Sequence, residues 1–132
     1  MGCVKIIADS TCDLSENLKE QYEVEIIPLN IVLDTKSFMD GIEITPDEIY
    51  EWSDRVEKTP KTASPEIGYV MKCLKKHKEA GNEVIFFGIS EAMSVTCQVV
   101  RTAALELDYQ DVFVIDSMNL STGIGLQVLK AA

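Results

Sequence analysis

The sequence lacks the features of several large classes of protein. None of its apolar runs approaches the roughly 18 residues that a membrane-spanning helix needs. The first residues show no basic segment followed by a long apolar stretch, so no secretory signal is recognised. No internal repeat and no low-complexity segment occurs. We therefore expect a cytoplasmic globular protein without stable membrane association.

Metal-binding residues are few and scattered. The four cysteines are Cys3, Cys12, Cys73 and Cys97. Their spacings match no zinc or redox motif, and reduced, mostly buried thiols are typical of a cytosolic chain. The only histidine, His77, lies in the basic run 75–78, where we expect it to be exposed to solvent. We expect no metal and no cofactor.

Positive charge is also scarce. Twelve Lys and Arg residues face 22 Asp and Glu residues, which leaves a net charge of −10. Such a surface repels phosphate backbones, so we expect no nucleic-acid partner. Long-range attraction will not recruit an acidic ligand either. Any such ligand must be held by local dipoles and hydrogen bonds.

The chain does contain short apolar runs that alternate with amphipathic segments. The predicted strands cover 3–8, 24–33, 83–89 and 112–115, and the predicted helices cover 13–22, 46–57, 64–80, 94–108 and a segment from about 121. This alternation predicts one α/β domain, with a mainly parallel sheet of about four strands sandwiched between helices. A turn at 34–36 predicts a β-hairpin near residues 24–40, and Pro28 predicts an edge, a bend or a break within it.

Two helix starts are marked by their residues. The run Thr45-Pro46-Asp47-Glu48 has a capping threonine, a proline at the first helical position and a glutamate that completes a capping box. Ser64-Pro65 is a similar start after the polar segment 57–62, which we expect to be a loop.

Small hydroxyl residues follow the predicted strands. Ligands of open parallel sheets bind beyond the carboxyl ends of the strands, which directs attention to 9–11, 90–96 and 116–117. Ser94 lies at a predicted helix start, where free backbone N–H groups favour a carboxylate or a phosphate. Thr62 lies in the predicted loop before the next helix and could reach the same edge. Capping alone explains any one of these hydroxyls, so the functional case depends on their convergence.

Nucleophilic catalysis has little support. His77 is no positioned base, and Cys97 on a predicted helix is best explained by core packing. No P-loop follows the first strand, and the Gly-Ile-Gly run at 123–125 is better explained by close helix packing than by dinucleotide binding. We expect no catalytic residues. The alternative is a small hydrolase or phosphate-handling enzyme that uses Asp9, Ser10 and Asp116, but it needs a base or a metal that the sequence does not reveal.

Taken in order, these segments resemble the DegV family of bacterial fatty-acid-binding proteins. The matching blocks are 9–14, 27–29, 40–41, 62–65, 89–90 with 94–96, and 116–117 with 121–125. Each block alone is weak, but the ordered set spans the chain and is specific.

The resemblance implies a carrier, not an enzyme. Family members hold one long-chain fatty acid with its tail buried, and some present its carboxylate to a fatty acid kinase for phospholipid synthesis. The carboxylate-binding pair of the family falls on Thr62 and Ser94. Supporting polar groups are expected from Ser10, Ser64, Thr96 and Ser117.

The sequence departs from the family in three ways. Val95 stands where the family has the glycine of Ser-Gly-Thr, and valine disfavours positive φ. Ala63 and Ser64 replace the more usual serine and glutamine. The family is about twice as long, so 1–132 is expected to be its N-terminal lipid-binding domain, truncated before a second domain, with 121–132 ending inside an apolar helical pattern. A third possibility is therefore a fragment whose pocket is incomplete and which binds no ligand by itself.

Overall fold

The computed structural model describes residues 2–132 and contains two β-sheets with helices packed against them. The elements are β1 (Val4–Asp9), α1 (Glu16–Gln21), β2 (Glu25–Ile27), β3 (Asn30–Leu33), β4 (Lys36–Met39), α2 (Pro46–Val56), β5 (Lys61–Ala63), α3 (Ile67–Glu79), β6 (Glu83–Gly88), α4 (Thr96–Glu106), β7 (Val112–Asp116) and α5 (Thr122–Ala131). A short 3-10 turn, Ser10–Cys12, follows β1. The predicted α/β class is confirmed.

The larger sheet is parallel, with strand order β2-β1-β6-β7. Its two central strands, β1 and β6, pair in register, with Ile7 opposite Phe86. Both side chains are fully buried. Strands covered on both faces can be apolar throughout, which is why 6–8 in β1 and 84–87 in β6 are uninterrupted apolar stretches. The predicted four-stranded parallel sheet is confirmed, and β6 is one of its two interior strands.

Helices cover both faces of this sheet. On one face α3 and α4 bury Leu74 and Val100 against Phe86. On the other face α5 buries Ile124 and Val128 against the sheet. Burial of each such side chain contributes about 1.5–3 kcal/mol, so these two layers account for the fixed placement of the strand ends.

The smaller sheet is antiparallel, with strand order β4-β3-β5. The predicted hairpin is confirmed over Asn30–Met39, and Asp34 adopts the left-handed φ of 54° in its turn. Of the three possibilities that Pro28 raised within 24–33, the break is the one observed, since the segment divides there into β2 of the parallel sheet and β3 of the antiparallel sheet. Proline has no N–H for a strand ladder, so the chain changes sheet there.

One predicted loop is also wrong. Thr62 lies in β5, where it pairs with Ile31 of β3, and not in the polar loop expected before α3. The segment is short, exposed and polar, so no periodicity in the sequence marks it as a strand. Its strand geometry comes from pairing with β3, a partner distant in sequence.

Helix boundaries differ from the prediction at several N-termini. In the structure, α1 begins at Glu16, α3 at Ile67 and α4 at Thr96, in each case two or three residues after the predicted start. At Thr45 the capping box is confirmed, since Glu48 N–H donates to Thr45 Oγ1 at 3.4 Å and Thr45 N–H donates to Glu48 Oε2 at 2.7 Å. None of the helices within residues 2–132 combines the length and the apolar character that crossing a membrane requires.

Close packing explains the Gly-Ile-Gly run. A Cβ on Gly125 would lie 2.8 Å from the carbonyl oxygen of Cys12 and 3.0 Å from Leu14 Cδ2. Helix α5 therefore approaches the segment after β1 more closely than a side chain would allow. The interpretation of 123–125 as helix packing is confirmed at this residue.

The expectation for His77 is wrong. Its side chain is buried at the end of α3, where Nε2 lies 2.6 Å from Glu25 Oε2 and Nδ1 lies 3.1 Å from Asn82 Nδ2. The run of lysines around it suggested solvent. The helix instead turns His77 towards β2, a strand that is distant in sequence.

Candidate functional site

The carboxyl edge of the parallel sheet is held together by Asp9. Its buried carboxylate accepts hydrogen bonds from Ile89 N–H at 2.6 Å and from Thr11 N–H at 2.8 Å. Burial raises the pKa of the Asp9 carboxyl above its ordinary value, although the hydrogen bonds from Thr11 and Ile89 oppose that shift. Asp9 thus fixes the loop after β6 against the end of β1.

The other groups of the alternative enzyme hypothesis are similarly engaged. Ser10 Oγ accepts a hydrogen bond from Leu29 N–H at 3.0 Å. Asp116 Oδ1 accepts from Glu91 N–H at 3.2 Å and from Met118 N–H at 2.9 Å. These side chains hold backbone loops in place, which is a structural role.

Ser94 and Thr96 form a hydroxyl pair at the start of α4. Their oxygens lie 2.9 Å apart, and Ser94 Oγ also accepts a hydrogen bond from Thr96 N–H at 3.2 Å. Thr96 is fully buried, whereas Ser94 is half-buried. Ser94 therefore caps a backbone N–H that the N-cap residue itself, Val95, leaves without a side-chain partner.

This pair leaves one proton available. A hydroxyl has one donor and two acceptor sites, so Ser94 Oγ can accept from both groups of Thr96. The Ser94 hydroxyl hydrogen then remains free to donate to an outside acceptor. The partial positive charge at the N-terminus of α4 favours an anionic acceptor at that point.

Val95 is compatible with this geometry. Its φ is −88° and its side chain is 62% exposed. The backbone does not enter the region that favours glycine, so replacement of the family's glycine leaves the turn unstrained.

The block that contains Thr62 is tied to the same edge through the second sheet. Asn30 Nδ2 donates to the carbonyl oxygen of Ser64 at 3.1 Å, and the preceding residue, Leu29, is the one held by Ser10. Thr62 itself is exposed on β5. The chain of contacts runs from the end of β1 to the 62–64 segment, although no hydrogen bond within residues 2–132 joins Thr62 directly to Ser94.

Ser117 is placed at the same edge but faces inward. It is buried, and its Oγ accepts a hydrogen bond from Asn119 N–H at 3.2 Å. The carbonyl oxygen of Asn119 in turn accepts from Ser90 N–H at 3.0 Å. Ser117 therefore shapes the loop after β7, and Asn119 is a contributor that the sequence did not single out.

Ser121 is a second residue of these loops whose conformation and contacts the sequence did not reveal. Its φ and ψ are 58° and −134°, a conformation that costs a non-glycine residue about 1–3 kcal/mol. Its Oγ donates to Asp13 Oδ2 at 2.6 Å. Backbone strain at a loop of this kind often accompanies a binding site, and only the structure shows it.

An open cavity of about 570 Å³ lies beside this edge. It is bordered by α1, β2 and the turn after β4, and its apolar lining includes Leu14, Val24, Ile26 and Ile42. Ser10 contributes to its wall, whereas Thr62 and Ser94 do not. The structure thus pairs Ser94 with Thr96 and links Ser10 to the 62–64 segment through Leu29 and Asn30.

These features define an open-sheet α/β domain whose hydroxyl-bearing loops lie at the carboxyl edge. The chain belongs to the DegV family, because the family model described as an uncharacterised protein of the DegV family matches residues 3–132. A DegV domain-containing protein of Clostridium perfringens is 40% identical over 132 residues, which are 100% of this chain and 47% of that protein. The chain spans about half the length of the curated relatives it matches.

Solved structures of the family are similar as well. A DegV family protein from Thermus thermophilus, described by its fatty acid binding, superposes with a TM-score of 0.85 at 30% identity over 97% of this chain and 45% of that one. A stearic acid-binding protein from Eubacterium ventriosum gives a TM-score of 0.87 at 29% identity over 96% and 46%. Fatty-acid binding is thus described for proteins that share this fold.

Proposed function

We propose that this protein binds a long-chain fatty acid, with the carboxylate held by Thr62 and Ser94. The observation that carries the proposal is the hydroxyl pair at the start of α4; with Thr96 as the donor of that pair, the Ser94 proton can be donated to an anion. The similarity to fatty-acid-binding DegV structures supplies the ligand class. Recognition by neutral hydroxyls and a helix terminus also suits a chain with a net charge of −10.

The two parts of such a ligand contribute unequally. Each buried methylene contributes about 0.8 kcal/mol, whereas each neutral hydrogen bond contributes a net of about 0.5–1.5 kcal/mol. A long acyl chain therefore dominates the affinity. Thr62 and Ser94 fix the position and direction of the head group.

The supporting residues hold the loops and hydroxyls of the proposed site in place. Thr96 orients the Ser94 hydroxyl, Ser10 and Ser64 belong to the contacts that hold the 62–64 segment, and Ser117 shapes the neighbouring loop. Ser10, Thr96 and Ser117 make side-chain hydrogen bonds within the protein, and Ser64 contributes its backbone carbonyl. Their loss is expected to misplace the head group.

In this proposal the protein works in the cytoplasm as a carrier that presents the exposed carboxylate to a fatty acid kinase. The engagement of Asp9, Ser10 and Asp116 with backbone groups supports a carrier that performs no chemistry itself. The kinase step has its own test. Acyl phosphate formation by a bacterial fatty acid kinase subunit should require the loaded protein and should stop when the carrier is omitted.

Native mass spectrometry tests the head-group assignment. The full-length gene product, purified after bacterial expression, should carry one fatty acid. In the Thr62→Ala/Ser94→Ala double variant we expect affinity for added fatty acid to fall by about one to two orders of magnitude. The control, Thr59→Ala/Ser37→Ala, removes the same two hydroxyl types from exposed positions and should bind normally. Unchanged loading of the double variant would refute the assignment.

Lipid extraction from the 132-residue chain and from the longer gene product distinguishes this proposal from that of an incomplete fragment. If this half of a family-sized protein encloses enough of the tail, lipid extraction should recover fatty acid from the short chain. Recovery from the longer gene product alone would show that the tail site needs the second half. Recovery from neither would contradict the proposed function.

A further inference from the structure

Three metal-ligating side chains meet near the amino ends of the strands, away from the hydroxyl-bearing loops. Glu25 at the start of β2 and Cys73 and His77 on α3 place one carboxylate oxygen, one sulfur and one imidazole nitrogen within 4.8 Å of one another. Cysteine and histidine at this spacing, i and i+4, share one face of a helix, and β2 lies against that face. Sequence spacing does not reveal this set, because Glu25 lies 48 positions from Cys73.

The chemistry of these ligands selects a class of ion. A thiolate, an imidazole and a carboxylate together suit a borderline-soft divalent cation such as Zn²⁺, and they fit Mg²⁺ and Ca²⁺ poorly. Three protein ligands leave a fourth tetrahedral position for water. A thiolate and a carboxylate also neutralise a dication.

The sulfur and the imidazole nitrogen each lie close to one oxygen of the Glu25 carboxylate, and all three ligand atoms lie within 4.8 Å of one another. Bonds of about 2.0–2.3 Å at tetrahedral angles put ligand atoms about 3.3–3.7 Å apart. Cys73 Sγ lies 3.2 Å from Glu25 Oε1, and His77 Nε2 lies 2.6 Å from Glu25 Oε2. Small side-chain movements would therefore admit an ion. Cys73 and His77 are buried, so two of the three ligands are already fixed by packing.

We propose that Glu25, Cys73 and His77 form a zinc-binding site at the contact between β2 and α3.

Ion binding releases the Cys73 thiol proton to solvent and shifts the His77 ring proton from one nitrogen to the other. Burial, followed by the charge and hydrogen bond of Glu25, raises the pKa of the Cys73 thiol to about 12, so the thiol proton leaves for solvent when sulfur binds the ion. The proton on His77 Nε2 is replaced by the ion and the ring is protonated on Nδ1 instead. Asn82, whose Nδ2 faces Nδ1 at 3.1 Å, must then turn its amide so that its oxygen accepts.

Two neighbouring residues oppose the ion and so provide sharp tests. Lys76 Nζ lies 2.8 Å from Glu25 Oε1 and competes for that ligand. Asn82→Asp would supply a carboxylate to accept from Nδ1–H, an arrangement that strengthens metal-bound histidines. Removal of the Lys76 charge and replacement of Asn82 by Asp should both tighten zinc binding.

Isothermal titration of the purified, chelator-treated protein with Zn²⁺ measures the site directly. We expect one equivalent to bind, with affinity about tenfold higher or more in Lys76→Gln and Asn82→Asp. Lys75→Gln, which removes a lysine from the same helix that pairs with Glu79 instead, is the matched control and should bind like the unmodified protein. Absence of binding, or equal affinities in all these variants, would overturn the proposal.

Ligand variants and a spectroscopic metal complete the test. Co²⁺ should show a thiolate-to-metal absorption band that is lost in Cys73→Ser. Glu25→Gln alters a partly exposed side chain and keeps the test open if the buried Cys73 variant fails to fold. Cys3→Ser removes the exposed thiol and should retain the band. A band that depends on Cys3 and survives Cys73→Ser would show adventitious binding and refute the site.

Discussion

The carboxylate of Asp9 accepts the backbone N–H of Ile89 at a distance of 2.6 Å, across 80 residues of sequence. This buried bond joins the end of β1 to the loop that leads from β6 to Ser94. Because the hydroxyl pair at the start of α4 is built on that loop, Asp9 positions the candidate site without being exposed to a ligand.

The first prediction concerns the titration of Asp9. Burial raises the pKa of this carboxyl above the ordinary value of about 3.9. Its contribution to the free energy of unfolding is therefore greatest below pH ~3.9 and declines as the pH rises through the folded-state pKa. A carbon-13 NMR titration of the Asp carboxyls should show one midpoint above the ordinary range. A midpoint for Asp9 below that range would show that its hydrogen bonds outweigh burial.

The Asp9→Asn variant extends this test to stability. An amide keeps the shape but cannot accept all the hydrogen bonds that the carboxylate accepts, so we expect a loss of about 1.5–3 kcal/mol in urea unfolding. The difference from the unmodified protein should shrink as the pH rises above ~4. A difference that grows with pH would contradict the sign of the pKa shift.

The second prediction tests the close approach of α5. Gly125→Ala places a Cβ 2.8 Å from a backbone oxygen that has no freedom to move aside, so it should lower the unfolding free energy by about 1–3 kcal/mol. Gly68→Ala is the matched control, since this glycine lies in α3 with open space around it. That change should stabilise the protein by about 0.5–1 kcal/mol. Equal effects in thermal unfolding would rule out the packing explanation.

The third prediction concerns Asn30, which holds the 62–64 segment by a direct hydrogen bond. Its side chain donates to the carbonyl oxygen of Ser64, so Asn30→Ala should loosen β5 and reduce fatty-acid affinity severalfold, less than the double hydroxyl variant does. Asn17→Ala on the exposed face of α1 is the control. Fluorescent fatty-acid displacement on the full-length gene product provides the affinities. If Asn30→Ala binds as tightly as the control, the segment does not depend on this bond.

The fourth prediction concerns Val95. Since its φ is negative and its side chain exposed, Val95→Gly restores the family's residue without relieving any strain. We expect unchanged fatty-acid affinity and a stability loss below about 1 kcal/mol, because glycine adds flexibility before α4. A severalfold gain in affinity would mean instead that the valine side chain obstructs the head group.

The sequence predicts the parallel sheet well because its signals are local. Apolar stretches mark β1 and β6, and the capping box at Thr45 marks the start of α2. Gly81, with a φ of 71°, follows α3 at the end of the predicted helix 64–80, where glycine is a common stop. Such features depend on a few adjacent residues and on burial, which a single sequence records.

The features that the sequence did not predict are created by distant partners. Thr62 is in a strand because β3 pairs with it, and the buried His77 contacts Glu25 of β2 and Asn82. The strain at Ser121 is a property of the assembled loop. Periodicity and motif spacing contain no information on these contacts, so the sequence names candidate residues without predicting their surroundings.

A crystal structure of the full-length gene product with its bound acyl chain tests the central claim most directly. The account predicts continuous density whose carboxylate oxygens lie within about 2.5–3.2 Å of Thr62 Oγ1 and Ser94 Oγ, near the N-terminus of α4. A carboxylate placed elsewhere, for example in the cavity beside Ser10 and Asp40, or density without contact to either hydroxyl, would contradict it.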